Sequence, residues 1–177
     1  MDGNVIVGQS GGPTSVINSR LAGVYKTAID RGAKKVYGML HGIKGLLDGQ
    51  YVDLSEKINS TMEIDLLKST PSSYLGSCWY KLPEISEDRE TFDKIFKILD
   101  DLDIKYIFYI GGNDSMDTIK KLSDYAIVTG SDIKFMGVPK TIDNDLAVTD
   151  HTPGFGSAAK FIAATMKEII RDGLVYD

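Results

Sequence analysis

One short segment of the chain, Tyr106–Ile110, is aliphatic or aromatic at every position. A strand with two apolar faces is typical of the middle of a parallel sheet, where helices cover both faces. Two glycines follow this segment, and Met116, Ile119 and Leu122 then recur at helical spacing. A buried strand, a glycine turn and an amphipathic helix in this order predict an α/β domain.

The same pattern occurs along the rest of the chain. Further strands are predicted at Asn4–Gly8, Lys35–Leu40 and Lys134–Val138. Helices are predicted from the spacing of Ile17, Leu21, Val24 and Ala28, of Phe92, Ile95, Phe96, Leu99 and Leu102, and of Ile162, Met166 and Ile169 within residues 156–171. Thr14 or Ser15 is expected to cap the first helix, and residues 41–51 to form a loop and a short helix. The alternation predicts a doubly wound, mostly parallel sheet with helices on both faces, a Rossmann-like three-layer sandwich.

Three polar, glycine-rich or charged turns each follow a predicted strand. They are Gly8–Thr14, Gly111–Ser115 and Pro139–Asp145. Right-handed crossovers place the carboxyl ends of parallel strands on one edge, which is where open α/β sheets bind ligands. We therefore expect the three turns to converge on one crevice.

The first turn can bring its backbone close to a ligand through Gly11 and Gly12, and the helix that follows offers N–H groups to a phosphate. A tight turn without a ligand is the alternative for this motif alone. No Gly-Lys-Ser/Thr follows, so the turn is not a Walker loop. It also lacks the Gly-x-Gly-x-x-Gly of dinucleotide-binding domains.

The second turn repeats this design through Gly112 and Ser115 and adds Asn113 and Asp114. An acid in the first turn of a helix can simply complement the helix dipole. Beside a phosphate, however, Asp114 needs Mg²⁺ or a lysine to offset its charge, and Asn113 could reach such a metal.

The third turn combines Lys140, Thr141, Asp143 and Asp145. A carboxylate at Asp143 could take the proton of a sugar hydroxyl, while Lys140 neutralises charge on a transferring phosphoryl group. Thr141 can position the substrate, and Asp145 can orient the loop or help to hold Mg²⁺. A surface turn is the alternative, because Asp and Asn are common in turns.

Composition narrows the possible functions. The chain has 177 residues, a formal charge of −5 and 42% hydrophobic residues, which fits one globular domain. The acidic balance argues against nucleic acid as a partner. Cys78 is the one cysteine, and no apolar run reaches the ~20 residues of a membrane span. We therefore expect a cytoplasmic protein that neither crosses nor binds a membrane.

The motifs together resemble the phosphofructokinase family along essentially the whole chain. The segments that carry this resemblance are Ser10-Gly-Gly, Gly76-Ser77, Gly111-Gly-Asn-Asp-Ser and Pro139-Lys-Thr-Ile-Asp-Asn-Asp. The chain is most similar to the pyrophosphate-dependent branch, because Asp114 and Lys140 stand where ATP-using relatives carry glycines. Asp114 fills the room of a nucleotide's next phosphate, and Lys140 suits the small, dense pyrophosphate ion.

The resemblance implies a role for each polar residue of the three turns. Phosphoryl transfer from pyrophosphate to the 1-hydroxyl of fructose 6-phosphate is assigned to Asp143 as base, with Asp114 and Lys140. The other implied roles are Gly11, Gly12, Gly112 and Ser115 for the donor, Thr141, Ile142, Asp143 and Lys81 for fructose 6-phosphate, and Asn113 and Asp145 for Mg²⁺.

The chain departs from the family at one residue and in length. The family often carries an arginine that clamps phosphate after Gly-Ser-x, and Trp79 stands there. Either Lys81 substitutes for it or this phosphate contact is weakened. The family also carries a second α/β domain, so residues 1–177 are expected to be an N-terminal domain with negligible turnover by itself. The full-length protein is expected to be a homo-oligomer.

Two other functions remain open from the sequence. One is an ATP-dependent 6-phosphofructokinase of the same family. The other is a sugar-phosphate-binding regulatory subunit without activity, which the intact Asp143 and Asp145 speak against.

Overall fold

The computed structural model describes residues 2–175. A five-stranded sheet forms its centre, with strand order β3-β2-β1-β4-β5. The strands are β1 (Asn4–Gln9), β2 (Val36–Met39), β3 (Tyr51–Asp53), β4 (Ile104–Gly111) and β5 (Lys134–Pro139). All neighbours pair in parallel except β3, which runs antiparallel to β2 at one edge.

Seven helices connect and flank these strands in the described part of the chain. They are α1 (Ile17–Asp30), α2 (Gly42–Leu47), α3 (Leu54–Lys57), α4 (Thr61–Ser69), α5 (Arg89–Asp101), α6 (Asn113–Thr129) and α7 (Phe155–Gly173). Ser60 caps α4 by accepting a hydrogen bond from the N–H of Glu63, and Asp88 caps α5 in the same way through Thr91.

Strands β1 and β4 bury side chains on both faces, as their apolar sequences predict. On β1, Val5 and Val7 enter a core with α1, α3 and α4, whereas Ile6 enters a second core with α2, α5 and α6. On β4, Ile107 and Tyr109 face the second core and Ile110 faces the first. The doubly wound three-layer sandwich is thereby confirmed.

The chain reverses its winding between β1 and β4. Helix α1 leads from β1 outward to β2, and α6 leads from β4 to β5 on the other side and across the other face. The carboxyl ends of two adjacent strands consequently diverge into different helices, which opens a crevice between them. The turns after β1, β4 and β5 all lie at this edge.

Local sequence signals were misleading at two places. Residues 41–51 contain the expected short helix, but Tyr51 begins a strand, β3, that was not predicted. Only three residues long and at the sheet edge, it offers too little alternation for a strand pattern. The expected cap of α1 is also wrong: Val16 occupies the cap position, and the Thr14 hydroxyl is buried without a hydrogen-bond partner among the described residues.

The last helix forms as predicted, but its apolar face is not part of the core. None of the residues of α7 is buried, and Phe161, Ile162, Met166 and Ile169 are each about half exposed or more. Its face has the pattern of a core helix. The remainder of the described chain simply does not cover it. No described helix is long and apolar enough to span a membrane.

We expect alanine substitutions to separate core helices from α7 in the 177-residue chain. Leu21→Ala, in α1 and fully buried, should lower the free energy of unfolding by about 2–5 kcal/mol because it leaves a cavity. Ile169→Ala, in α7 and 57% exposed, should change it by less than about 0.5 kcal/mol. Urea denaturation measures both, and equal losses would show that α7 packs on this core.

Candidate functional site

The three predicted turns surround one cavity. It has a volume of about 530 Å³ and lies at the carboxyl ends of β1, β4 and β5. The residues that line it are Ser10–Thr14, Cys78–Lys81, Gly112–Ser115, Lys140–Asp143 and Asp145. Every residue that the sequence predicts for the site is among them, so the structure brings the predicted set together.

The turns approach one another too closely for side chains at two glycines. A Cβ at Gly111 would lie 1.9 Å from the Ser115 hydroxyl oxygen and 3.1 Å from the Ser10 carbonyl oxygen. Gly11 has a φ of +75°, which side chains disfavour, and its Cβ would lie 3.4 Å from the Lys140 ammonium. These glycines let the first and second turns close against Ser115 and Lys140.

Lys140 joins the third turn to the first. Its side chain crosses the crevice, and the ammonium donates a hydrogen bond to the carbonyl of Gly12. The residue is only 3% exposed. Burial lowers the pKa of Lys140, an effect that the nearby Asp143 carboxylate only partly opposes. A buried ammonium beside glycine backbone is a ready site for an anion, whose charge would compensate for the lost hydration.

Asp143, three residues after Lys140, is held by a local hydrogen-bonded turn. Its N–H donates to the Thr141 hydroxyl oxygen at 3.1 Å, and that hydroxyl donates to its carboxylate at 3.3 Å. The backbone of Thr141 is in turn fixed, because its N–H donates to the carbonyl of Pro153 and its carbonyl accepts from the Thr152 hydroxyl. The Asp143 carboxylate itself is exposed to the cavity, where it can accept a proton.

The second and third turns meet through Asn113 and Asp145. The amide Nδ2 of Asn113 donates to the Asp145 carboxylate at 2.7 Å, which leaves the amide oxygen available. In the described chain, no group of three or more His, Cys, Asp or Glu side chains is placed to hold a metal ion. Asn113 and Asp145 alone offer two side chains with oxygen atoms to a metal ion. Magnesium is often bound in this way, with substrate phosphates and water completing its shell.

Asp114 and Lys81 form an exposed ion pair at the rim. The Lys81 ammonium lies 3.6 Å from the Asp114 carboxylate, and both side chains are more than half exposed. Ser115, one residue further into α6, is instead buried against the second turn. Water screens this ion pair, so it contributes little to stability. Its relevance to the site is that it places both charges at the cavity mouth.

Two buried amides position a wall of the cavity that strand patterns do not reveal. Gln9 donates to the Asn18 side chain at 3.0 Å and accepts from the N–H of Leu75 and the hydroxyl of Ser73. Asn18 donates to two carbonyls, at positions 70 and 72, each at 2.9 Å. Sequence reasoning missed both residues. The one signal is a glutamine at the end of a strand that is otherwise apolar.

This network leads into residues 76–82, which include the cavity-lining Cys78–Lys81. The Ser77 hydroxyl donates to the carbonyl of Gly11 at 2.5 Å, and the Ser10 hydroxyl donates to the carbonyl of Cys78 at 3.3 Å. At the other end, Lys121 donates to the carbonyl of Leu82 at 3.0 Å. The segment is thus fixed to the first turn on one side and to α6 on the other.

Known proteins share this architecture and sequence. A family model described as Phosphofructokinase matches residues 4–173. Proteins named pyrophosphate–fructose 6-phosphate 1-phosphotransferase are 43% identical in Rhodospirillum rubrum and 44% in Xanthomonas campestris pv. campestris. These matches cover 96% and 97% of this chain, but only 41% and 40% of the relatives.

A solved structure supports the same similarity. The pyrophosphate-dependent phosphofructokinase from Nitrosospira multiformis superposes with a TM-score of 0.87 at 39% identity. The match covers 96% of this chain and 41% of the other. The chain therefore spans about two fifths of the length of the relatives it matches.

Lys140→Met should separate anion binding from folding. The substitution removes a charge that burial destabilises, so we expect no loss in the free energy of unfolding at pH 7, and pyrophosphate affinity at least about tenfold lower. Because the pKa of Lys140 is lowered by burial, its charge makes the free energy of unfolding smaller at neutral pH. The wild type should regain this stability as the pH rises toward the ordinary lysine value of 10.5.

Urea denaturation at pH 7 and at high pH, with calorimetric titration of pyrophosphate, tests this expectation. Lys134→Met, on an exposed position of β5, is the matched control and should leave pyrophosphate binding unchanged. Full pyrophosphate affinity in Lys140→Met would contradict the assignment of this ammonium to the anion.

Proposed function

Because the chain belongs to the phosphofructokinase family, we propose that it is the donor-binding part of an enzyme that phosphorylates fructose 6-phosphate with pyrophosphate. The observation that carries this proposal is the buried Lys140 ammonium, which meets the first glycine turn in the same cavity as Asp143. The names of the relatives described above support pyrophosphate as the donor. Those names describe the whole relatives, and this chain matches only about two fifths of their length.

The donor occupies the side of the cavity formed by the first and second turns. Its phosphates contact Gly11 and Gly12, the Lys140 ammonium and the start of α6 at Gly112 and Ser115. The positive end of a helix and a buried cation both favour a dense anion. Asp114 stands at the rim of this pocket, where it repels the additional phosphate of a nucleotide.

The acceptor occupies the side formed by Thr141, Ile142 and Asp143. The 1-hydroxyl oxygen of fructose 6-phosphate forms a bond to the nearer phosphorus of pyrophosphate as the bridging P–O bond breaks. The hydroxyl proton passes to the Asp143 carboxylate, and phosphate leaves. Lys140 stabilises the charge that develops on the transferring group. Fructose 1,6-bisphosphate is the product, and the same groups serve the reverse reaction.

Magnesium fits the oxygen atoms that the second and third turns provide. Asp145 and the free amide oxygen of Asn113 would hold the ion beside the phosphates of the donor. When bound, the ion neutralises phosphate charge and fixes the donor's orientation. The Asn113–Asp145 hydrogen bond positions both groups for that role.

The rest of the acceptor pocket lies outside this unit. Lys140 and Lys81 are the two cations among the lining residues. Lys81 is exposed at the rim and is paired with Asp114. We propose that α7, with its bare apolar face, packs into a second α/β unit of the full-length protein that supplies further cations. The isolated 177-residue chain should then show negligible turnover. A homo-oligomer and a cytoplasmic location remain predictions.

Asp143→Asn in the full-length protein tests the base. Because asparagine cannot accept the proton, we expect kcat to fall by about 10²–10⁴-fold while pyrophosphate affinity is kept. Asp150→Asn, in the same loop but outside the cavity lining, is the matched control and should keep wild-type kcat. Steady-state kinetics with fructose 6-phosphate provide the measurement.

The same assay decides between donors. Wild-type turnover with pyrophosphate should exceed that with ATP; the reverse order would replace the proposal with an ATP-dependent enzyme. Normal turnover in Asp143→Asn would remove the base assignment. Sugar-phosphate binding without turnover with either donor would favour the regulatory subunit.

A further inference from the structure

Trp79 is the one tryptophan of the chain, and its side chain is left in water at the mouth of the cavity. It is 84% exposed. Tryptophan presents a large apolar face, and at an exposed position that face is not removed from water. A second apolar side chain, Ile142, lines the same cavity and is 50% exposed. Two uncovered apolar groups therefore face a site that is otherwise polar and charged.

The exposure of Trp79 is not the result of a loose loop. The backbone just before it is tied to the first turn by the Ser77 and Ser10 hydroxyls, at 2.5 and 3.3 Å. Three residues later, Leu82 is buried, and its carbonyl accepts from Lys121. Anchors on both sides therefore fix the backbone that carries Trp79 relative to Gly11, at the mouth of the cavity.

The chemistry of the two substrates decides which one an indole can recognise. Pyrophosphate has no carbon atoms and offers no apolar surface, so an uncharged indole can meet it only through its single N–H donor. Fructose 6-phosphate has C–H groups on the faces of its ring. Those C–H groups can pack against an aromatic face and an aliphatic side chain.

We propose that Trp79 is an acceptor-specificity residue, which with Ile142 forms an apolar wall for the sugar ring of fructose 6-phosphate. The inference rests on the proposed function and deepens it. The wall selects a phosphorylated sugar by its ring, while Lys140 and the glycine turns hold the donor. It also gives Ile142, between Thr141 and Asp143, a role in placing the hydroxyl near the base.

Substitutions at Trp79 in the full-length protein test this wall. Trp79→Ala should raise KM for fructose 6-phosphate between about 3-fold and 10-fold, the fold-change expected for one lost aromatic contact. Trp79→Phe should stay within about twofold of wild type, because phenylalanine keeps an aromatic face. KM for pyrophosphate should change in neither variant. Met62→Ala, in α4 and 78% exposed, is the matched control for removal of a large exposed apolar group.

Calorimetric titration separates the inference from the function on which it rests. Weaker binding of fructose 6-phosphate to Trp79→Ala, with unchanged binding of pyrophosphate, supports the wall. An unchanged fructose 6-phosphate affinity in an enzyme that still turns over overturns the wall and leaves the function intact. Loss of ATP or adenosine binding in Trp79→Ala, without loss of sugar binding, overturns it in favour of a nucleobase face. A wild type without turnover rejects the proposed function instead, and the sugar titration still decides on Trp79.

Discussion

The hydrogen bond from the Lys140 ammonium to the carbonyl of Gly12 determines the character of this site. It connects residues 128 positions apart and joins the turn after β5 to the turn after β1. The contact places a cation where water reaches poorly, so the charge is costly until an anion arrives. The burial that makes this charge costly would also favour a compact, highly charged anion as its partner.

The sheet supplies the distance across which this contact forms. β1 and β5 are separated by β4, so their turns lie two strands apart and a lysine side chain is long enough to bridge them. β4 ends in Gly111, where the Cβ of any other residue would lie 1.9 Å from the Ser115 hydroxyl oxygen. Gln9 and Asn18 hold residues 70–75, which precede the lining residues Cys78–Lys81, against β1 and α1 through buried amide hydrogen bonds. Breaking such a network would leave buried donors and acceptors unpaired, which costs free energy. The network therefore makes this segment rigid.

Sequence reasoning was most successful where one physical rule determines the structure. β4 was predicted because an apolar run of that length has few alternatives, and its turn followed from the glycines. Asp143 and Lys140 were assigned to the same crevice because parallel strands end on one edge. Gln9 and Asn18 were missed since the segment that they hold, residues 70–75, lies more than 50 residues away in the sequence. A buried amide shows no periodicity, and only the folded chain reveals what it binds.

The apolar face of α7 was predicted correctly from its spacing, but the spacing did not reveal that this face lies outside the core. An apolar stripe on a helix predicts that this face is buried, but it does not predict which surface covers it. The described chain leaves Phe161, Ile162, Met166 and Ile169 uncovered, although the helix begins only a few residues after the loop that holds Asp143. The backbone links the two directly: the N–H of Thr141 donates to the carbonyl of Pro153, just before α7. The turn that holds Asp143 is therefore tied by its backbone to the residues that lead into α7. In the function proposed above, the donor side lies within this unit, whereas the acceptor side depends on the surface that covers the helix.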